Sequence, residues 1–448
     1  MIVIKDRPQY NALDAKAVLD RHTEKGGVLI DLDRACDYRT FFKVDKDRKA
    51  AALAKKTDRI SYDVKPATLF EDFRGNFPDQ LVYFRTNLND PNSKLSAEAK
   101  HLEKRLQSNL FSKDAVEHIR QYQEANTVKT AYQNIFSYLK LPLLSAESFE
   151  GHRMVLAKPT WNILNTGRIG SADPNVQSLA KTQSDLITYP KGYTLLRYDS
   201  GQIEPRITYS EFIKDPVIKD LIIMYDDAYY GQLIFAIMPD SQLRDIRKGV
   251  RKLEKIEITP DIKALRGDLK KMSLIGNYNG DLSQFDPKLA KAYNERIVNN
   301  PYRLKLLKEI KEQVANGKTV FNSIFGTPII PKETSKYSPG TPGWDAHVER
   351  CGLNNPIQAT AADLMCQSVV EQDQLLTKYS SGKSWIGLYK HDEGLTYLHD
   401  DDLDLKDEIV GMTAYQVRDW IPIGCDLVEG IKEPEKPFDY KIKRILSA

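Results

Sequence analysis

The chain has 448 residues, 41% of them hydrophobic and 28% charged, with a net charge of +3. That length suits two to four domains or one large multi-lobed enzyme, and the near balance of charge excludes a simple polybasic nucleic-acid arm while leaving room for a basic groove offset by acidic patches. Four scattered cysteines without a CxxC pair argue against a disulfide scaffold or a structural zinc site; with no apolar run near the ~20 residues that span a bilayer and an N-terminus too short and polar for a signal peptide, the expectation is a soluble cytoplasmic protein with no membrane partner.

In chain order, GVLIDLD (27–33) predicts a short buried strand or a helix entry, and FFKVDKDRKAAALAKKTDR after it predicts helix. Ser96 is a candidate N-cap for a helix in which Leu102, Leu106 and Leu110 recur every four residues. Another helix is predicted from near Ser112 to about 138, with Ile119, Tyr122, Tyr132 and Ile135 as its stripe. From about 151 the character changes. Short β-type runs follow: MVLA, YTLLRY, SWIGLY and LTYL around an acidic turn, and WIPIGCDLVEGI. A further hairpin is predicted at 318–331, and helices at about 209–280 and 285–316. Strands interrupted by so long a helical block predict an α+β fold, one antiparallel sheet with a large helical insertion, not a doubly wound parallel sheet.

The candidate chemistry lies in a few stretches. Asp199 ends the run YTLLRYD, and Asp392 lies in the turn KHDEG between two β-type runs. Two such carboxylates on neighbouring strands suit hard divalent ions, and a pair of Mg²⁺ ions can activate a 3′-hydroxyl and neutralise a leaving pyrophosphate. Arg266, Lys270, Leu274 and Tyr278 are four apart, so on a helix they share one broad face. There Arg offers a fork and Lys a point charge to a triphosphate, with Tyr278 at the far end to stack on a base. The turn-rich 164–182 carries Arg168, Asn175 and Gln177. In 347–370 the second half reads as a helix of small residues, and Asn354 and Gln358 are amides that read base edges or cap a helix. Each feature alone has an ordinary explanation: a capping Asp199, turn material at 391–394, a solvated basic helix at 266–270. The basic RDIRKGVRKLEK (244–255) reads as a solvated helix in preference to a strip that tracks DNA.

In order, T-G-R-x4-D-P-N-x-Q (166–177), D-x2-Q-I-E-x-R (199–206), R-x3-K-x7-Y (266–278), E-R-x3-N-x-P-I-Q-x-T-A-A-D (349–363) and H-D-E (391–393) resemble the polymerase domain of family A DNA polymerases, the DNA polymerase I type, over about residues 26–448. The resemblance implies a right hand: a lead-in (1–25), a helical thumb (26–150), a first part of the palm (151–230), fingers (231–317) and the rest of the palm (318–448). It implies template-directed addition of dNTPs to a primer 3′-hydroxyl with two Mg²⁺ ions, Mn²⁺ being able to substitute. Asp199 and Asp392 would bind metal, with Glu393 an accessory acid. Lys270 and Arg266 would face the triphosphate, and Tyr278 and Gln202 would also lie at the nucleotide. Glu204 would be the steric gate against a ribose 2′-hydroxyl, which separates this pattern from single-subunit RNA polymerases. Arg168, Asn175, Gln177, Arg350, Asn354, Gln358 and His391 would contact primer–template DNA.

The departures are Ser200 and Pro205 in place of Tyr and Leu, Leu274 where an aromatic is usual, Asn279 in place of Gly, and a longer span between Asp199 and Arg266. Only about 25 residues precede the thumb, and a proofreading exonuclease domain needs on the order of 150–200. The expectation is therefore a phage-like or plasmid-type polymerase core, or one half of a split polymerase, without exonuclease activity, with a separate exonuclease or processivity subunit as a partner. The alternatives are an inactive polymerase-like DNA-binding subunit and a polymerase with relaxed sugar or template choice.

Overall fold

The computed structural model describes residues 1–5, 8–86, 88, 92–98, 102, 105–106, 110–179, 181–276, 282, 285–333, 337–341 and 343–430. The chain divides into two units, one made of 1–28, 158–179 and 191–430, the other of 29–157 and 181–190.

The chain opens with β1 (Ile2–Ile4) and α1 (Ala12–Lys25), followed by β2 (Val28–Asp31), α2 (Leu32–Lys56), α3 (Pro66–Asn76) and α4 (Lys113–Tyr138). The segment GVLIDLD is both strand and helix entry: Val28–Asp31 is buried throughout, and the Asp31 carboxylate then caps α2 by accepting the Arg34 N–H at 2.8 Å. Helix α4 starts one residue after Ser112, whose hydroxyl accepts the Ala115 N–H. The helix expected after Ser96 falls largely outside the described residues. Strands β3 (Leu143–Glu147) and β4 (Arg153–Ala157) complete a sheet of order β2-β4-β3. In this unit α2 packs on α4, and Leu53, Leu69, Phe73, Phe84, Ile119 and Tyr122 fill a common core. Buried in it, Asp72 accepts from Tyr62 Oη (2.5 Å), lies 3.0 Å from His118 Nε2 and pairs with Arg59 (2.9 Å).

The other unit contains the hairpin β5 (Thr160–Ile163) and β6 (Ile169–Ala172), then β7 (Tyr193–Ser200). A helical insertion follows: α5 (Ile203–Ile207), α6 (Pro216–Tyr225), α7 (Ala228–Ile237), α8 (Asp240–Arg247), α9 (Pro260–Gly276), α10 (Pro287–Tyr293) and α11 (Pro301–Ala315). Its punctuation is local. Asp215, Asp227, Asp286 and Asn300 cap α6, α7, α10 and α11, and proline takes the first turn of three of these, where a missing N–H costs nothing. The predicted hairpin is present as β8 (Phe321–Asn322) and β9 (Pro328–Ile329). Then come α12 (Trp344–Tyr379), β10 (Trp385–Lys390), β11 (Glu393–His399), α13 (Lys406–Gly411), β12 (Tyr415–Val417) and β13 (Cys425–Glu429).

Two expectations need correction. The segment 244–255 is not a helix throughout: α8 ends at Arg247, Gly249 takes φ +71°, and the Val250 and Arg251 N–H groups fold back on the Asp245 carbonyl. The helix in 347–370 is not confined to its second half. It starts at Trp344 and runs through Pro356, whose missing N–H deletes one ladder bond, while Val348, Leu353, Ile357 and Leu364 hold both sides in apolar surroundings.

Strands β10, β11, β7 and β13 form one antiparallel sheet in that order. Alternation along β7 sends Tyr198 and Ser200 to the α12 side, where Tyr198 Oη donates to Gln372 (2.6 Å) and Ser200 Oγ to the Thr413 carbonyl (2.8 Å). Asp199 faces the other way and is the one exposed residue of the strand. Gly394, opposite Tyr198 in β11, is required by close approach: a Cβ there would lie 2.0 Å from the tyrosine ring. Among the described residues no helix is long and apolar enough to cross a membrane.

Candidate active site

The sheet register brings the candidate carboxylates together. Asp199 on β7 is the direct cross-strand partner of Glu393 on β11. Asp392 lies in the two-residue turn of the β10–β11 hairpin, beside His391 at φ +57°, and its carbonyl accepts the Ser200 N–H at 2.8 Å. The hairpin tip is thus tied to the end of the strand that carries Asp199. On the other side of β7, Asp426 of β13 is also directly opposite Asp199. Like charges placed opposite one another across strands repel, so this row favours cations.

Asp199, Asp392 and Asp426 line a cavity of about 410 Å³ together with Arg168, Glu204, Tyr229, Arg266, Lys270 and Leu274; Glu393 is not among the lining residues. Ala361 and Ala362 of α12 also face it, the small residues leaving the space open. Arg266, Lys270 and Leu274 share the cavity face of α9, as their spacing predicts. Tyr278 lies outside the described residues. Lys270 Nζ sits over the Tyr229 ring at 5.7 Å. Arg168 enters from the β5–β6 hairpin, whose turn is closed by Gly167 at φ +73° and by the Leu164 N–H to Arg168 carbonyl bond. Its guanidinium pairs with Glu204.

Burial raises the pKa of Asp392, and the Glu393 carboxylate beside it adds to this, against the opposing charges of His391 and Arg168. Burial likewise lowers the pKa of His391, with the Arg168 charge in support. A half-buried acid held above its ordinary range gains from a cation beside it. Hard carboxylate oxygens on adjacent strands, open to a cavity, are the donor set that Mg²⁺ takes while keeping water and phosphate oxygens. Among the described residues the one trio of such groups with ligand atoms all within 4.8 Å of one another is not in this cavity: it is Asp31, Glu150 and His152, in the other unit. There the Arg34 guanidinium already pairs with Asp31 and Glu150 and supplies the positive charge.

By sequence the chain is similar to DNA polymerase I of Aquifex aeolicus (strain VF5), 26% identical over 229 residues that cover 51% of this chain and 36% of that protein. It is also similar to DNA polymerase I of Pseudomonas aeruginosa, 25% identical over 293 residues that cover 63% of this chain and 29% of that protein. The chain thus spans about a third of the length of these curated relatives. Its fold is similar to the POL domain of Pol1 from M. smegmatis, solved in complex with DNA primer-template and dNTP, with a TM-score of 0.68 and 17% identity over 94% of this chain and 70% of that one. No protein-family model matches. The chain is thus similar to DNA polymerase I in sequence and to its polymerase domain in fold.

Of the residues that the family A resemblance singles out, several lie away from the cavity. Gln177 braces the β5–β6 hairpin, donating to the Ile169 (2.9 Å) and Tyr389 (2.5 Å) carbonyls and accepting the Ser171 N–H. Asn175 accepts the Ser171 hydroxyl. Arg350 lies over the Tyr337 ring, and Asn354 and Gln358 follow it along α12. Gln202, by contrast, does line the cavity, with its backbone at φ +56° and its amide bonded to Asp227 and to the Ala228 N–H. Sequence reasoning missed Tyr229, Asp227 and Asp426. The first two stand in DDAY, where an Asp before a helical run is a capping signal; Asp426 sits in a recognised strand, but its partner in the sheet is not written locally.

Proposed function

We propose that the chain is a template-directed DNA polymerase core that adds dNTPs to a primer 3′-hydroxyl. The observation that carries this reading is the register that sets Asp199 against Glu393, with Asp392 at the adjoining hairpin tip, so that Asp199 and Asp392 line one cavity with Arg266 and Lys270. Acid and cation together are what a triphosphate bridged to metal needs.

In this reading the sheet and the helices α12 and α13 are the palm, the insertion with α9 is the fingers, and α2 to α4 belong to the thumb. Asp199 and Asp392 would hold two divalent ions, with Glu393 beside them; when bound, such ions stabilise the charge that develops on the attacking and leaving oxygens. Lys270 and Arg266 orient the triphosphate by charge-assisted hydrogen bonds. Arg168, His391 and Gln358 lie toward the primer end of the duplex, and Glu204 walls the sugar. Leu274 and Pro205 give that wall a surface different from the usual aromatic and leucine.

The test is extension of a labelled primer on a defined template by the purified chain with Mg²⁺. Ordered addition directed by the template supports the reading. DNA binding without addition at any Mg²⁺ or Mn²⁺ concentration would make it an inactive DNA-binding relative instead.

A further inference from the structure

We propose that Asp227 is a positioning residue that aims Arg266 at the triphosphate of the incoming nucleotide and couples that grip to the turn after Asp199; this rests on the polymerase reading. The carboxylate stands at the start of α7. Its Oδ1 accepts the Tyr229 and Tyr230 N–H groups, both at 2.8 Å, and so caps the helix. Its Oδ2 accepts Arg266 Nε at 3.0 Å and Nη2 at 2.5 Å, and Gln202 Nε2 at 2.9 Å. One side chain thus joins three pieces: the first turn of α7, the cavity face of α9, and the turn that follows the candidate metal ligand Asp199.

The geometry of the pair decides its role. Asp227 takes one edge of the guanidinium, through Nε and Nη2, and the Tyr229 and Tyr230 rings lie against it at 5.5 and 5.4 Å. Arg266 Nη1 makes no hydrogen bond among the described residues, and Arg266 lines the cavity. The plane of the fork is therefore set before a ligand arrives, while a donor edge remains for phosphate oxygens. An arginine fixed in advance loses less side-chain freedom on binding, and that gain goes to affinity. Gln202 is held at both ends of its amide, by Asp227 and by the Ala228 N–H at 2.5 Å, in a left-handed conformation that a non-glycine residue keeps only when its surroundings fix it. A shift of Arg266 toward a triphosphate would therefore be felt at the turn beyond Asp199.

A competing arrangement uses the same contacts with the opposite sign. If Asp227 merely occupied Arg266 in place of the triphosphate, removing its charge would tighten nucleotide binding. Asp227→Asn separates the two. Asparagine caps a helix about as well as aspartate, so α7 keeps its start while the ion pair to Arg266 is lost. The dissociation constant of dATP is measured on a complex of the whole chain with a dideoxy-terminated primer opposite template dT, in Mg²⁺, and KM and kcat on an extendable primer.

The expected result is dATP binding weakened about tenfold, as for a loosened charge-assisted contact. KM should rise in step, kcat change little, the preference for dATP over dADP shrink, and the unfolding midpoint stay in place. Should the Asn form lose stability, Asp227→Ser, which also caps, gives the same readouts. Unchanged or tighter dATP binding in a stable variant overturns the proposal and leaves the polymerase reading standing. A wild-type chain that neither binds nor incorporates dATP overturns both.

Discussion

Arg168 donates to the Glu204 carboxylate across the cavity, so the residue expected at the primer end and the residue expected to exclude ribose form one ion pair. Arg206, two residues further on, is the cation nearest Glu204 along the chain. The structure gives Arg206 to the Pro422 and Asp226 carbonyls and the Asp226 carboxylate instead. Held by a cation from the β5–β6 hairpin, the Glu204 side chain is less free to turn than a lone carboxylate, which suits the proposed wall.

If Glu204 walls the sugar as proposed, replacing it with Ala removes that wall, and exclusion of a ribose hydroxyl should fall. We expect the rNTP to dNTP ratio of kcat/KM to rise about tenfold, which corresponds to ~1.4 kcal/mol of lost discrimination. Glu204→Gln keeps the volume and should change the ratio less. Single-nucleotide insertion with matched dNTP and rNTP measures both, and an unchanged ratio in a folded Ala variant would remove Glu204 from the gate.

Asp199→Asn and Asp392→Asn keep shape and lose charge. Each should lower the rate of nucleotide addition by roughly a thousandfold, the scale seen when charge stabilisation of a transition state is removed. Primer–template affinity, measured by fluorescence anisotropy, should be largely retained. Near wild-type extension by either variant would show that the acidic row is not the reaction centre.

Asp72 makes a prediction about acid stability. Burial opposes its ionised form, but hydrogen bonds from His118 and Tyr62 and the charges of His118 and Arg59 outweigh this and hold its pKa below the usual value. A carboxylate depressed in the folded state stabilises above its unfolded pKa, about 3.9, and that contribution is lost as pH falls through the folded value. Asp72→Asn should cost on the order of 3 kcal/mol near neutral pH, since it leaves a buried cluster without its anion. Urea unfolding of both proteins should show the gap narrowing below about pH 4; a gap constant with pH would mean that the carboxylate charge is not what matters.

Gly394→Ala places a methyl group against the Tyr198 ring, which is held by Gln372 and Thr396 and has no space to yield. Overpacking of this kind costs about 1–3 kcal/mol. The thermal midpoint should fall, and the displaced hairpin tip should slow nucleotide addition. Tyr198→Phe in the same background keeps the ring and should not rescue it, whereas Tyr198→Leu, lacking the ring edge, should recover part of the loss.

Much of this architecture was legible because its signals are local. Ser112 announced α4 to within a residue, the short β-type run YTLLRY gave β7, and the four-residue spacing put Arg266, Lys270 and Leu274 on one face. What stayed hidden depends on pairing at a distance. Asp426 is an unremarkable strand residue until β13 is laid beside β7. Gln177 reads as a polar contact for DNA until the Tyr389 carbonyl is seen to take its amide. In 347–370 only the second half read as helix, yet the helix runs through Pro356 because burial on both sides of it outweighs one lost bond.

The order of strands in the sheet also sets when the acidic row can exist. Strand β7 is central, yet both of its neighbours are encoded after the helical insertion. On the ribosome it emerges with two bare edges and waits for most of the remaining chain to be translated. The insertion meanwhile has its own apolar cluster and can collapse first. The carboxylates therefore meet only once Glu393 and then Asp426 have left the tunnel, which makes closure of the sheet a late and slow event of high contact order. Until then the unpaired edges of β7 are the part of the newborn protein most exposed to mispairing, and the part a chaperone would most need to cover.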